Sequence, residues 1–150
     1  MQPLTTWICD SCGKEITDPG RALITWSEDS NGQADRFLLV HKNMDGYECD
    51  PGSKAGFSSS TDLGTGLGPD GAAYLLSMLS IGPLKGEAHC QVSNMDGFVD
   101  LFRRLQTPWY EEARSKFDDE DTRHWLDDAN EVYPYLPEVL ERTAKGTLGG

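Results

Sequence analysis

The sequence predicts an α+β fold, in which a small N-terminal β module packs on a C-terminal helical region. Two patterns lead to this prediction. Apolar and polar residues alternate on both sides of an Asn31-Gly32 pair, and apolar residues recur at helical spacing only after Pro69. Alternation is typical of a strand that buries one face, whereas apolar residues that recur about every three to four positions are typical of an amphipathic helix. We expect residues 1–60 and 61–150 to be two parts of one compact unit.

A β-hairpin is the main predicted element of the first part. Its first strand covers residues 21–27, and its second covers residues 36–41 with His41 on the apolar face. An Asn-Gly pair favours the tight turn that joins two such strands. The second strand therefore ends at a histidine, and residues 42–68, which are rich in Gly, Ser and Asp, are expected to form a loop.

The second part is expected to hold four or five helices. Proline fits the first turn of a helix, where its missing N–H costs nothing, and short polar side chains cap helix starts. Each predicted start is followed by apolar residues at helical spacing, and the last helix is expected to end near Gly146. The starts lie at Pro69, Ser93 or Asn94, Pro108, residues 118–121, and just before Val139 and Leu140.

Cys9 and Cys12 form the motif that most directly indicates chemistry. Two cysteines separated by two residues point at one ion when the backbone turns between them, and Gly13 lets the turn close behind the second sulfur. A redox Cys-x-x-Cys motif should open a helix, whereas here the Pro19-Gly20 turn stops any helix early. The spacing therefore predicts a zinc site that needs two further ligands.

The motif Cys-Asp-Ser-Cys-Gly-Lys at residues 9–14 resembles the knuckle of zinc ribbons and treble-clef modules. In ribbon-like modules a hairpin lies beside the knuckle. Zinc ribbons usually close with a second Cys-x2-Cys pair, which this chain lacks. The opening Trp-Ile-Cys-Asp-x-Cys-Gly, a later histidine, a Cys-Asp-Pro at residues 49–51 and an acidic helical tail together resemble small uncharacterised actinobacterial and phage zinc-binding proteins. That resemblance implies a zinc module and no particular activity.

His41 and Cys49 are the predicted third and fourth ligands. His41 ends the hairpin strand, which the ribbon resemblance places beside the knuckle, and Cys49 follows after a short loop. Three thiolates and one neutral imidazole are a common set for a structural Zn²⁺. His89 and Cys90 remain alternatives. A set in which Cys90 replaced His41 or Cys49 would tie the metal to the helical region.

No catalytic residues are predicted. A catalytic zinc keeps an open coordination position near a general base, whereas four good ligands favour a closed structural site. His124 lies at helical spacing from Asp127 and Asp128, but a solvated helix face explains that pattern better than a second metal site. The glycine-rich residues 62–69 lack the preceding strand and the lysine of a phosphate loop.

Composition and charge limit the classes of binding partner that the chain is expected to have. The 150-residue chain has 25 acidic and 13 basic residues, a formal charge of −12, which disfavours nucleic acid and anionic membranes and favours a protein partner with a basic surface. No signal peptide or apolar membrane span is recognisable, so we expect a cytoplasmic, reducing location in which cysteines serve as ligands.

The predicted function is a non-enzymatic, zinc-stabilised protein-interaction or regulatory module. One alternative is an acidic mimic of nucleic acid that inhibits a DNA-binding enzyme. It is motivated by nine acidic and three basic residues between Glu111 and Glu131. The other alternative is a zinc hydrolase, for which the sequence offers no positive sign. The aromatic residues between positions 108 and 135 are interpreted mainly as helix-packing residues, with a protein-binding surface as the functional alternative.

Overall fold

The computed structural model describes residues 2–85 and 90–150. The described residues form five strands and five α-helices, with the strands in the N-terminal part and the helices after them. The predicted α+β class is therefore confirmed. None of the helices in the described ranges combines the length and the apolar character that crossing a membrane requires.

The strands form two small antiparallel sheets. Strands β1 (Trp7–Ile8) and β2 (Glu15–Ile16) pair around the knuckle. Strands β3 (Ala22–Glu28) and β4 (Ala34–His41) form the predicted hairpin, whose register runs from the Ala22–His41 pair to a bulge near Glu28. The hairpin prediction is confirmed to within two residues at each strand end.

A fifth strand lies where the sequence predicted a loop. Strand β5 (Ser59–Asp62) pairs with the free edge of β3, so that the sheet order is β4-β3-β5. The prediction of a continuous loop over residues 42–68 is wrong at this point. The strand has alternating half-buried and exposed residues but no large apolar side chain, and backbone hydrogen bonds to β3 hold it in place.

The helices begin close to the predicted starts. Helix α5 ends at Gly146, which adopts the left-handed conformation (φ 70°) that commonly terminates a helix. Helix α3 is shorter than its apolar pattern suggested, with only five residues. The helices are α1 (Gly68–Ser77), α2 (Met95–Gln106), α3 (Tyr110–Arg114), α4 (Glu120–Leu126) and α5 (Pro137–Lys145).

The chain divides into two compact units after Gln106. The first unit contains Thr6–Gln106, and the second contains Thr107–Gly150 with a short N-terminal piece up to Thr5. This division differs from the predicted boundary near residue 60, because α2 packs on β4 and α1 packs on α2 within the first unit. The separation of a β module (1–60) from a helical region (61–150) as folding parts stays a prediction.

The first unit has the larger hydrophobic core. Its buried side chains come from both sheets, from α1 and from the apolar face of α2, and they form one cluster that includes Trp7, Ile24, Leu39, Phe98 and Leu101. The second unit packs α3 against α5 through a smaller cluster of Tyr110, Ala113 and Leu140. The knuckle cysteine Cys9 belongs to the larger core, so the candidate site is built into it.

Candidate metal centre

Four side chains of the first unit converge on one point. The sulfur atoms of Cys9, Cys12 and Cys49 and one ring nitrogen of His41 all lie within 4.8 Å of one another. Cys9 and Cys12 flank the turn between β1 and β2, His41 is the last residue of β4, and Cys49 lies in the loop that follows. Within the described part of the chain, this is the one group of His, Cys, Asp or Glu side chains that could hold a metal ion.

The backbone of the knuckle is closed by two hydrogen bonds. The amide of Cys9 donates to the carbonyl of Lys14 at 2.9 Å, and the amide of Gly13 donates to the carbonyl of Cys9 at 2.9 Å. Gly13 has φ 75°, in the left-handed region that costs other residues about 1–2 kcal/mol. The glycine therefore lets both sulfurs face the same side, as its position in the sequence predicted.

His41 presents its Nδ1 atom to the sulfurs. This atom lies 3.5 Å from the sulfur of Cys12 and 3.9 Å from that of Cys49. Its other nitrogen, Nε2, lies 3.0 Å from the carbonyl oxygen of Glu15. Because a carbonyl only accepts, Nε2 carries the proton and Nδ1 keeps a lone pair for a metal. Tyr47 stacks on the imidazole with ring centres 3.7 Å apart and planes 4° apart, which fixes the ring orientation.

These distances suit a four-coordinate ion. Metal–sulfur bonds of about 2.3 Å and metal–nitrogen bonds of about 2.0–2.1 Å in a tetrahedron place the nitrogen about 3.6 Å from each sulfur. The two measured separations, 3.5 and 3.9 Å, lie on either side of that value. The donor set and these two separations therefore fit a tetrahedral metal ion.

The loop that carries Cys49 is held at its base and near its tip. Asn43 accepts a hydrogen bond from the amide of Asp50 at 3.0 Å, which closes the loop across its base. The guanidinium of Arg21 forms an ion pair with Asp45 near the loop's tip. Asp45 has φ 56°, an uncommon conformation for a residue other than glycine. Cys49 itself is buried, at 6% exposure.

Asp10, inside the knuckle, anchors the site to the core. Asp10 and Leu39 of β4 exchange two hydrogen bonds of 2.8 Å, one through the Asp10 amide and one through its carboxylate. The same carboxylate accepts from the Nη1 atom of Arg104 at 2.7 Å. Arg104 also donates from Nη2 to the carbonyl of Ile8 at 3.0 Å, and its own carbonyl accepts from the indole of Trp7 at 2.9 Å.

Arg104 and Asp10 support the candidate site through a buried ion pair that the sequence pattern did not indicate. Arg104 lies in the last turn of α2, where an exposed cation is common, yet its side chain is only 3% exposed. Its position carried a signal, because it follows Leu101 by three residues and so falls on the apolar face of α2. A charged residue on such a face needs a buried partner, but the partner itself lies 94 residues away and has no local signature.

The free thiols differ in their acidity. A backbone hydrogen bond from Lys14 is the main cause that lowers the pKa of Cys12, which is exposed. Burial is the main cause that raises the pKa of Cys49 to about 11. A metal binds thiolates, so it must displace a proton from Cys49, whereas Cys12 yields its proton more readily.

Cys90, one of the alternative ligands, does not join this cluster. The sulfur of Cys90 lies 3.4 Å from the carbonyl oxygen of Val92 and is not part of the four-residue group. His89 lies outside the described residues. His124 packs edge-on against Trp125 at 5.3 Å, and no metal-binding group that includes it, Asp127 or Asp128 occurs in the described ranges.

Comparisons with known protein families, with curated proteins and with solved structures give no match for this chain. The resemblance of the knuckle to zinc ribbons therefore has no support from a shared family. What the site does is argued from its own donor atoms and their surroundings.

Proposed function

We propose that Cys9, Cys12, His41 and Cys49 hold one structural Zn²⁺, and that the chain is a non-enzymatic protein-interaction or regulatory module stabilised by this ion. The observation that carries the proposal is the convergence of three sulfurs and one oriented imidazole nitrogen within 4.8 Å. Residues as far apart as Cys9 and Cys49 would otherwise gain little by meeting at one point.

The donor set favours zinc over other common ions. Soft thiolates with one imidazole suit Zn²⁺, whereas Mg²⁺ and Ca²⁺ prefer oxygen ligands. The hydrogen bond from His41 to the Glu15 carbonyl is the kind of support that zinc-binding histidines usually have. A reducing compartment, which keeps the cysteines as thiols, belongs to the same proposal.

A structural role is supported by the closure of the site. Four protein ligands complete a tetrahedron and leave no position for a substrate or an activated water. The cleft that borders His41 measures only about 100 Å³, below the roughly 300–1,000 Å³ of typical ligand sites. A zinc hydrolase is therefore the least supported alternative, and turnover abolished by one side-chain substitution would overturn the non-enzymatic role.

The interaction role is supported by surface composition. Several large apolar side chains are exposed in the second unit, among them Trp125 and Val132 at 52% and 63% exposure. A second candidate is an acidic mimic of nucleic acid, favoured by seven acidic residues against the single basic Arg123 between Asp118 and Glu131. A mimic would bind by charge alone, so its affinity would fall steeply with salt.

Metal analysis of protein purified without added metal tests the zinc site. We expect about one zinc per chain, and Co²⁺ exchanged into the site should give the intense visible absorption of tetrahedral thiolate coordination. Cys9→Ser and Cys49→Ser should lose the metal, whereas the matched variant Cys90→Ser should keep it. Absence of zinc together with four freely titrating thiols in the native protein would overturn the proposal.

A further inference from the structure

The second unit exposes apolar side chains over a short stretch of sequence. Of the large apolar residues that are exposed in the described ranges, four lie between positions 125 and 136: Trp125, Val132, Tyr133 and Leu136. Large apolar groups on a surface that also carries much charge are typical of binding surfaces when they cluster around a groove.

A groove lies beside this stretch of sequence. It has a volume of about 240 Å³ and lies between α4 and the turn Tyr133–Tyr135. Its walls combine apolar, aromatic and charged side chains, and we name it the α4 groove. It is lined by Phe117, Thr122, Arg123, Leu126, Asp127, Pro134 and Tyr135.

The turn beside the α4 groove is held rigidly. The side-chain oxygen of Asn130 accepts hydrogen bonds from the amides of Val132 at 3.0 Å and Tyr133 at 2.8 Å. Tyr135 packs edge-on against Phe117, with ring centres 6.3 Å apart. Exposed apolar residues on a fixed turn lose little conformational entropy when a partner covers them.

The residues on and beside α4, which we call the rim of the α4 groove, are strongly acidic. Six of them are exposed carboxylates: Asp118, Asp119, Glu120, Asp121, Asp127 and Asp128. Arg123 is the one basic residue between positions 118 and 131, and Asp118 already engages it at 2.8 Å. A larger cleft of about 740 Å³ also borders α4, and there Trp125 lies with the carboxylates of Asp119 and Asp121. Both clefts therefore combine an aromatic or apolar surface with negative charge.

We propose that the α4 groove and its acidic rim bind a cationic amphipathic segment of a partner protein. An apolar side chain of that segment would enter between Leu126 and Tyr135, while its lysines or arginines would face the carboxylates around α4. This inference rests on the interaction role proposed above and names the chemistry of the partner.

Charge excludes the other occupants. Nucleic acid and anionic lipid are repelled by the rim. A second copy of the chain is itself acidic, because residues 6–106 carry 14 acidic and eight basic side chains and residues 107–150 carry 11 and five. A partner recognised by charge alone would make no use of the exposed apolar groups.

Titration of the intact protein with three designed helical peptides tests the proposal. The first peptide has leucines on one face and lysines on the other. The second has the same composition in scrambled order, and the third has glutamate in place of lysine. Calorimetry measures affinity, and amide shifts in nuclear magnetic resonance spectra locate the binding site. We expect the amphipathic peptide to bind at least about tenfold more tightly than the scrambled one, with shifts confined to residues 117–136, and the acidic peptide not to bind.

Two variants and a control sharpen the test. Val132→Ser should weaken binding of the amphipathic peptide by about tenfold through loss of apolar contact. The double substitution Asp127→Asn and Asp128→Asn should weaken binding and flatten its salt dependence. Leu76→Ser in α1, at a side chain of 52% exposure, serves as the matched control and should bind normally.

Three outcomes would overturn the proposal: equal binding of the scrambled peptide, shifts centred outside residues 117–136, and an unchanged affinity in Val132→Ser. Zinc content is measured on the same samples. A sample without zinc that still binds the peptide would contradict only the metal assignment, whereas a zinc-loaded sample that fails to bind would contradict only the α4 groove.

Discussion

The two compact units differ in how they treat a buried charge. In residues 6–106 the guanidinium of Arg104 meets the carboxylate of Asp10 at 2.7 Å, and a carbonyl takes a second of its hydrogens. In residues 107–150 both carboxylate oxygens of Glu112 are buried without a hydrogen-bond partner among the described residues. The first unit fixes its geometry through paired polar groups, and the second contains a polar group that costs stability.

The hydrophobic cores of the two units also differ in size. The largest fully buried side chains lie mostly in the first unit, and only Val139 and Leu140 belong to the second. The first unit also contains the four converging metal ligands. This contrast teaches that the site's precision comes from a shared core and a buried ion pair, whereas the open surface of the second unit suits recognition.

Removal of the metal should have the largest effect and should separate the units. Structural zinc contributes about 10–16 kcal/mol in small zinc-binding peptides. Chelation, or Cys9→Ser, should therefore strongly destabilise residues 6–106, while residues 107–150 keep their amide protection. Hydrogen exchange followed residue by residue provides the measurement. Equal loss of protection in both units would mean that the contrast between them does not extend to stability.

Breaking the buried ion pair should have the next largest effect. Arg104→Met leaves the Asp10 carboxylate without its charged partner and should reduce the free energy of unfolding by about 3 kcal/mol. Arg123→Met is the matched control, because Arg123 pairs with Asp118 at nearly the same distance but in an exposed position. The control should change stability by less than about 1 kcal/mol. Denaturant unfolding compares the two, and similar losses would contradict the assigned role of burial.

Replacement of glycine in the left-handed region should distinguish strain from function. Gly13 and Gly146 have φ of 75° and 70°, and neither has an atom within 4 Å of where a Cβ would lie. Gly13→Ala and Gly146→Ala should each reduce stability by about 1 kcal/mol. Only Gly13→Ala should also weaken zinc binding, measured by competition with a chromophoric chelator. Unaltered zinc affinity would show that the knuckle tolerates a different backbone at this position.

Glu112 should give the smallest effect, with the opposite sign. Burial, helped by the nearby charge of Glu111, raises the pKa of Glu112 above its ordinary value of 4.5. The folded protein therefore keeps this proton to a higher pH than the unfolded chain does, so stability falls as pH rises through that interval. Glu112→Met should increase stability at neutral pH by less than about 1 kcal/mol, allowing for screening by solvent.

The pH dependence of that variant is its own control. The advantage of Glu112→Met should shrink as pH falls below about 4.5, where the carboxyl is protonated in both states. Thermal unfolding at several pH values measures the difference. A constant or growing advantage at low pH would mean that the side chain's packing, rather than its charge, limits stability.

Short sequence patterns predicted the hairpin and the helix starts, because residues close together in the sequence determine these elements. The Asn31-Gly32 turn and the alternation around it gave the hairpin, and the helix starts followed from caps and prolines. Strand β5 escaped prediction because Ser59–Asp62 contains no apolar alternation, and only pairing with β3 makes it a strand.

The candidate site shows the same limit. Cys9 and Cys12 were predictable because two ligands lie on one turn. His41 was predictable because a hairpin lies beside the knuckle in the ribbon-like modules that this segment resembles. The preference for Cys49 over Cys90 was a prediction that the structure's geometry favours. The Arg104–Asp10 pair was out of reach, because its partners are joined only by the folded core.

The position of Arg104 along the chain has a consequence for biosynthesis. All four proposed ligands have been synthesised once the growing chain reaches residue 49. Arg104, whose guanidinium holds Asp10, is synthesised 94 residues after Asp10. Contacts between such distant residues form late, because the intervening chain must first be completed. A zinc ion captured by the emerging N-terminal segment would keep the knuckle beside β4 until α2 arrives. In that order of events the ion would hold the knuckle in position until the growing polypeptide can form the contacts between Asp10 and Arg104.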